Sequence, residues 1–115
     1  MSGHGHHGKL VGATLVSRQS RSRALGVDGR RGAVSVGSPP KLRLQDFTLA
    51  CWVRRSDPQL ATHDPNGGGA LFSYGSGGFN FGVINDGRVH LAQVDGNIFQ
   101  KTSPDFRLTD EEWHH

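Results

Sequence analysis

Apolar and polar residues alternate with a period of two along much of this chain, and no stretch carries a convincing 3.6-residue helical period. The pattern is strongest over residues 47–53. Phe47, Leu49, Cys51 and Val53 fall on one face of a strand, and Thr48, Ala50, Trp52 and Arg54 on the other. Both faces are largely apolar up to Trp52, which predicts a main strand buried on both sides of its sheet at one end, with Trp52 in the core. Two shorter runs precede it. Ala24-Leu25-Gly26-Val27-Asp28 and Ala33-Val34-Ser35-Val36 flank Gly29-Arg30-Arg31-Gly32, an arrangement that predicts a hairpin. Residues 9–16 are a weaker strand candidate. Pro39-Pro40 breaks the chain, and residues 42–46 predict a short turn.

Residues 56–69 read as a polar loop. Strands are then predicted over residues 70–74, 79–84, 88–94 and 98–102. Asn85-Asp86-Gly87 and Asp95-Gly96-Asn97 form the turns between the last three. Strands this short, spaced at about 8–12 residues, predict an all-β antiparallel sandwich. The 17 glycines fit that reading, since they lie between apolar runs and follow no collagen-like period. The length of 115 residues allows one domain.

The net charge of +3 leaves Arg18, Arg21, Arg23, Arg30 and Arg31 close together. No nucleic-acid motif or aromatic stacking platform accompanies them, so they read as solvated turn residues and no nucleic-acid partner is expected. The single cysteine, Cys51, excludes an intrachain disulfide and reads as a small buried hydrophobe. No run of about 20 apolar residues is present to span a membrane as a helix. Residues 1–8 lack the apolar core of a secretory signal.

Three stretches in order carry a family resemblance. Ser2-Gly3-His4-Gly5-His6-His7-Gly8-Lys9-Leu10 looks like the opening loop D-x-S-G-N-G-x-x-G-x-L. Ala24 to Gly29 followed by Ala33 to Val36 resembles an L-x-F-D-G…Y-V-x-V hairpin. Phe47 to Val53 resembles an F-T-L/I-x-x-W-V strand. A fourth cue is Trp113-His114-His115, similar to the W-H-H that opens the next strand. Together they resemble the LamG-like, concanavalin A-like jelly-roll domains, the superfamily of laminin G modules and pentraxins. The resemblance implies a partial jelly roll over residues 1–115. Residues 1–8 would be its opening loop, residues 9–115 its strands, and its C-terminal strands would be missing. It implies an extracellular or cell-surface setting, a glycan or protein ligand, and membership of a larger protein. An incomplete sandwich leaves an inner sheet face uncovered, from which poor solubility or self-association is expected.

Candidate chemistry is sparse. Glycoside hydrolases on this scaffold need paired carboxylates on one strand. The acids here, among them Asp57, Asp64, Asp105, Asp110, Glu111 and Glu112, stand in loops and turns, so no enzyme activity is expected of these residues. The alternatives are a catalytic jelly roll whose acids lie in the missing half and a structural adhesion or spacer module. Calcium is the family's usual ion and wants several oxygen ligands. The opening loop has lost its Asp, and residues 72–80 contain no acid, which leaves Asp28 either as a ligand or as the turn former before Gly29. His4, His6 and His7 offer imidazoles to zinc, nickel or copper, and removal of Met1 would create a Ser2-Gly3-His4 terminus suited to square-planar Cu(II) or Ni(II). Tyr74 and Phe79, beside Asn80, flank a glycine-rich loop and are the best candidates for packing on a sugar.

Overall fold

The computed structural model describes residues 7–19, 22–42, 46–61, 68–74, 78–95 and 97–115. The fold is all-β with antiparallel pairing throughout. Among the described residues the one helical element is a single 3-10 turn at Pro40–Leu42, where Leu42 N donates to Pro39 O at 2.9 Å. The chain divides into two compact units, Met1–Leu44 and Gln45–His115.

The first unit holds β1 (Lys9–Val11), β2 (Thr14–Gln19), β3 (Ser22–Gly26) and β4 (Ala33–Ser35). The hairpin expected between residues 24–28 and 33–36 does not form. β3 pairs instead with β2, Leu15 opposite Leu25, and β4 pairs with β1, Leu10 opposite Val34. The reason is local. Turn chemistry between two runs fixes a reversal but not a partner, and the runs upstream compete for the same edges. Residues 27–32 are therefore an excursion in one arm of a bent ribbon, and the other arm bends at Gly12. Gly12 has φ +64° and approaches the Arg31 carbonyl so closely that a Cβ would lie 3.0 Å from its oxygen.

The second unit carries a sheet in the order β5-β6-β7-β8, with β5 Gly68–Tyr74, β6 Phe79–Ile84, β7 Arg88–Asp95 and β8 Asn97–Arg107. The predicted strands recur here, β6 with the expected bounds and β5, β7 and β8 with extended ends. β8 runs past the expected stop because Ser103 compensates for Pro104, which cannot donate to the ladder. Its Oγ accepts from Val89 N at 3.2 Å and donates to Phe106 O at 2.8 Å, across a bulge between Thr102 and Arg107. Cross-strand partners share a face. Phe81 opposite Leu91 and Val83 opposite Val89 make one face, and Asn80 opposite Ala92 and Gly82 opposite His90 the other.

Residues 47–55 lie along the Phe81 face rather than in a ladder. The expected main strand is replaced by a segment outside the ladders, whose one antiparallel pair among the described residues is Val53 opposite His114. Its alternation nonetheless survives in the burial. Leu49, Cys51, Val53 and Arg55 turn inward, whereas Thr48, Ala50, Trp52 and Arg54 are exposed. Trp52, expected in the core, is 52% exposed. Strand parity wins over side-chain hydrophobicity here, because the inward positions on either side of Trp52 are already set by Cys51 and Val53.

The tightest packing lies at one end of the sheet. Val83 and Leu108 are buried, and the buried Arg55 guanidinium donates from Nη1 to Leu108 O at 2.6 Å and from Nη2 to Asn85 O at 3.2 Å. The β6–β7 turn enters the same knot: Gly87 N donates to Ile84 O at 2.9 Å and Leu108 N to Gly87 O at 2.8 Å.

Candidate functional site: an apolar groove

Within the second unit the inward side chains of residues 49–53 and the Phe81 face of the sheet enclose a groove of about 380 Å³. Leu71, Phe81, Val89 and Phe106 form its floor, and Leu49, Cys51 and Val53 its wall. The side chains are placed by two periodicities: alternation along the segment and cross-strand pairing on the sheet. A bulge between Ala70 and Phe72 adds Leu71 to the floor. The face is only partly covered. Phe72 is 38%, Leu91 41% and Phe106 49% exposed.

His114 and His115 also line the groove. The Val53–His114 pair exchanges two backbone bonds, Val53 N to His114 O at 2.8 Å and His114 N to Val53 O at 2.9 Å. His114 Nε2 lies 2.6 Å from Asp110 Oδ1, and its ring meets Phe106 edge-on at 6.0 Å. The hydrogen bond with His114 holds the Asp110 carboxyl below its usual range, and the Glu112 backbone N–H assists. His115 packs against Trp52 at 5.2 Å.

Cys51, His114 and Asp110 have the residue types of a cysteine nucleophile and its base. Their chemistry differs. Burial pushes the Cys51 thiol above its ordinary value, opposite to the depression an activated thiolate needs. The groove lining contains no carboxylate, so it offers no acid–base pair of the glycosidase kind.

The aromatic residues singled out in the sequence come together in part. Tyr74 and Phe79 are cross-strand partners with ring centroids 6.1 Å apart and planes 13° apart, and Phe47 sits 4.5 Å from Phe79. Asn80 is not part of this row. Its side chain belongs to the opposite sheet face, where its Oδ1 is shut from solvent without a hydrogen-bond partner among the described residues.

Asp28 stands in the excursion of the first unit. Its Oδ1 accepts from Arg30 N at 2.9 Å, Arg31 N at 3.1 Å and Gly32 N at 3.4 Å. Those backbone donors hold its carboxyl below the usual range, Arg30 first. An oxygen engaged by three N–H groups, with no second acid beside it among the described residues, does not fit a calcium site. His4 and His6 lie outside the described residues, and His7 is exposed. Among the described residues no group of three or more His, Cys, Asp or Glu is arranged to hold a metal.

Arg55 and Leu108 organise the tightly packed end of the sheet beside the groove, yet neither stands out in the sequence. A usable signal exists in Arg55, which continues the inward series 49, 51, 53. A charged residue at an inward position needs buried partners.

Comparison with protein-family models, curated proteins and solved structures finds no match to this chain.

Proposed function

We propose that the chain is a non-catalytic recognition module of LamG-like, jelly-roll type that binds a protein ligand through the groove. The observation that carries this reading is the groove's composition: an apolar floor and wall, no carboxylate, and exposed phenylalanines at its margin. Large apolar side chains left accessible in a concave surface favour a ligand that brings apolar groups of its own. By the resemblance, the module works outside the cell as part of a larger protein.

Panning a display library of random peptides tests this. Enriched apolar peptides should bind the wild-type chain and lose binding to Phe106→Asp, with Phe79→Ala unaffected. Failure to enrich, or binding indifferent to Phe106→Asp, refutes it. The Tyr74–Phe79–Phe47 row supports a second reading, a glycan ligand stacked on those rings. A glycan-array signal abolished by Phe79→Ala and untouched by Phe106→Asp would favour that reading.

A further inference from the structure

Charge is unevenly divided between the two units. Residues 1–44 hold eight of the 13 lysines and arginines and one of the 10 acids, Asp28. Residues 45–115 hold the other five and nine, so a net +7 stands against a net −4. The strands of the first unit also leave aliphatic side chains exposed. On one face of the β2–β3 ladder Leu15 stands opposite Leu25, and Ser17 opposite Arg23. Leu15 is 56% and Leu25 41% exposed, and Val27, just beyond the strand, is 53% exposed. Arg23 borders this aliphatic patch towards the hairpin tip. The excursion folds back on Val27 at the other end, where a Cβ on Gly32 would lie 3.0 Å from Val27 Cβ, and it carries the exposed Arg30 and Arg31.

Aliphatic side chains beside cations, almost without acids, suit an anionic lipid surface. Residues 1–44 contain no Phe, Trp or Tyr, so this face offers no such ring on which a base or a sugar could stack. A unit carrying +7 repels the same unit of a second copy. A bilayer satisfies both features at once. Aliphatic side chains gain by leaving water in the headgroup region, and arginine lays its stem along them while its guanidinium meets phosphate. Each such cation contributes about a fivefold gain in affinity beside an anionic leaflet.

We infer that this face of the β2–β3 ladder docks on an anionic lipid surface. Leu15, Leu25 and Val27 enter the headgroup region, and Arg23, Arg30 and Arg31 meet lipid phosphates around them. The docking does not rest on the groove, which lies in the second unit.

Co-sedimentation of the full chain with vesicles, in the presence of a calcium chelator, tests this. The chain should bind phosphatidylcholine vesicles containing about 30% phosphatidylserine and not phosphatidylcholine alone. Arg30→Gln with Arg31→Gln should weaken binding by about 25-fold. Both substitutions leave in place the backbone N–H groups that donate to Asp28 at 2.9 and 3.1 Å. Leu15→Thr with Leu25→Thr, which keeps β-prone residues in both strands, should weaken it by about tenfold. Val27→Thr, outside the ladders, reads the same face if the leucine pair fails to fold. Arg54→Gln, in the second unit, should change nothing. Equal binding to phosphatidylcholine alone, a loss in Arg54→Gln matching that of the arginine pair, or wild-type binding by the aliphatic variants would each overturn the inference. So would self-association that the leucine pair abolishes while no vesicle is bound, which would assign the face to a second copy.

Discussion

Replacement of Arg55 by methionine should unlock the closed end of the sheet. The guanidinium makes two charge-assisted bonds to main-chain carbonyls, one of 2.6 Å to Leu108 and one of 3.2 Å to Asn85. Hydrogen bonds to charged groups contribute about 1.5–3 kcal/mol each, so the pair supplies about 3–6 kcal/mol before offsets. The main offset is desolvation, which also holds the Arg55 pKa below the usual guanidinium range. Methionine fills much of the same volume and escapes that cost, but it leaves the Leu108 carbonyl without its donor, a loss of about 1–3 kcal/mol. The expected net destabilisation is about 2–4 kcal/mol. Arg55→Lys retains the charge but presents a point donor in place of a fork, and should lose about half as much. Hydrogen exchange reads this locally, because Leu108 N is bonded to Gly87 O beside the lost contact. Protection at the Leu108 amide should fall by about 30- to 1,000-fold in Arg55→Met. Arg54→Met is the control. Arg54 is exposed with its Cζ 5.4 Å from the Trp113 ring, a contact contributing about 0.5–1 kcal/mol. Wild-type protection of Leu108 in Arg55→Met, or an equal effect from Arg54→Met, would refute the assignment of a stabilising role to the buried guanidinium.

Two other perturbations follow from the same geometry. Gly87 has φ +91°, and a Cβ there would lie 2.8 Å from Leu108 O, whereas Gly37 has φ +70° with nothing within 4 Å. Gly37→Ala should therefore show only the backbone penalty of about 1–2 kcal/mol, and Gly87→Ala a larger loss in urea unfolding; equal losses would remove the steric part of the argument. Asp110 is held below its usual carboxylate range by His114, so its contribution is present above the unfolded value near about 3.9 and is lost as pH falls through the lower folded value. Acidification from pH 5 to pH 3 should loosen residues 113–115, seen as lower protection of the Val53 amide relative to its intrinsic exchange rate at each pH, and Asp110→Asn should flatten that dependence; an unchanged profile in Asp110→Asn would contradict it.

The parts of this fold written legibly in the chain are those whose partners lie next to each other. β6 and β7 are joined by Asn85-Asp86-Gly87, and the turn residues and the pairing are specified together. The first unit shows the limit. Residues 27–32 carry turn chemistry, with Asp28 capping three amides, yet the strands beside them pair with β1 and β2 rather than with each other. A turn is decided by local sterics, whereas a ladder is decided by competition among all available edges.

Residues 47–55 carry that distinction furthest. Alternation there fixes which side chains face inward, and it does so even against hydrophobicity, since Trp52 stays outside. It does not supply a ladder, which needs a second strand, and among the described residues the segment's one bridge joins Val53 to His114. Side-chain direction and main-chain direction alternate together in an extended chain. The parity that puts Leu49, Cys51 and Val53 into the groove is therefore also the parity that sends Arg55 to the Leu108 carbonyl. Groove and buried guanidinium are consequences of one register. A substitution that shifted the segment by a single residue would undo both: it would expose Leu49 and Cys51, bury Trp52, and carry Arg55 away from the carbonyls that hold it.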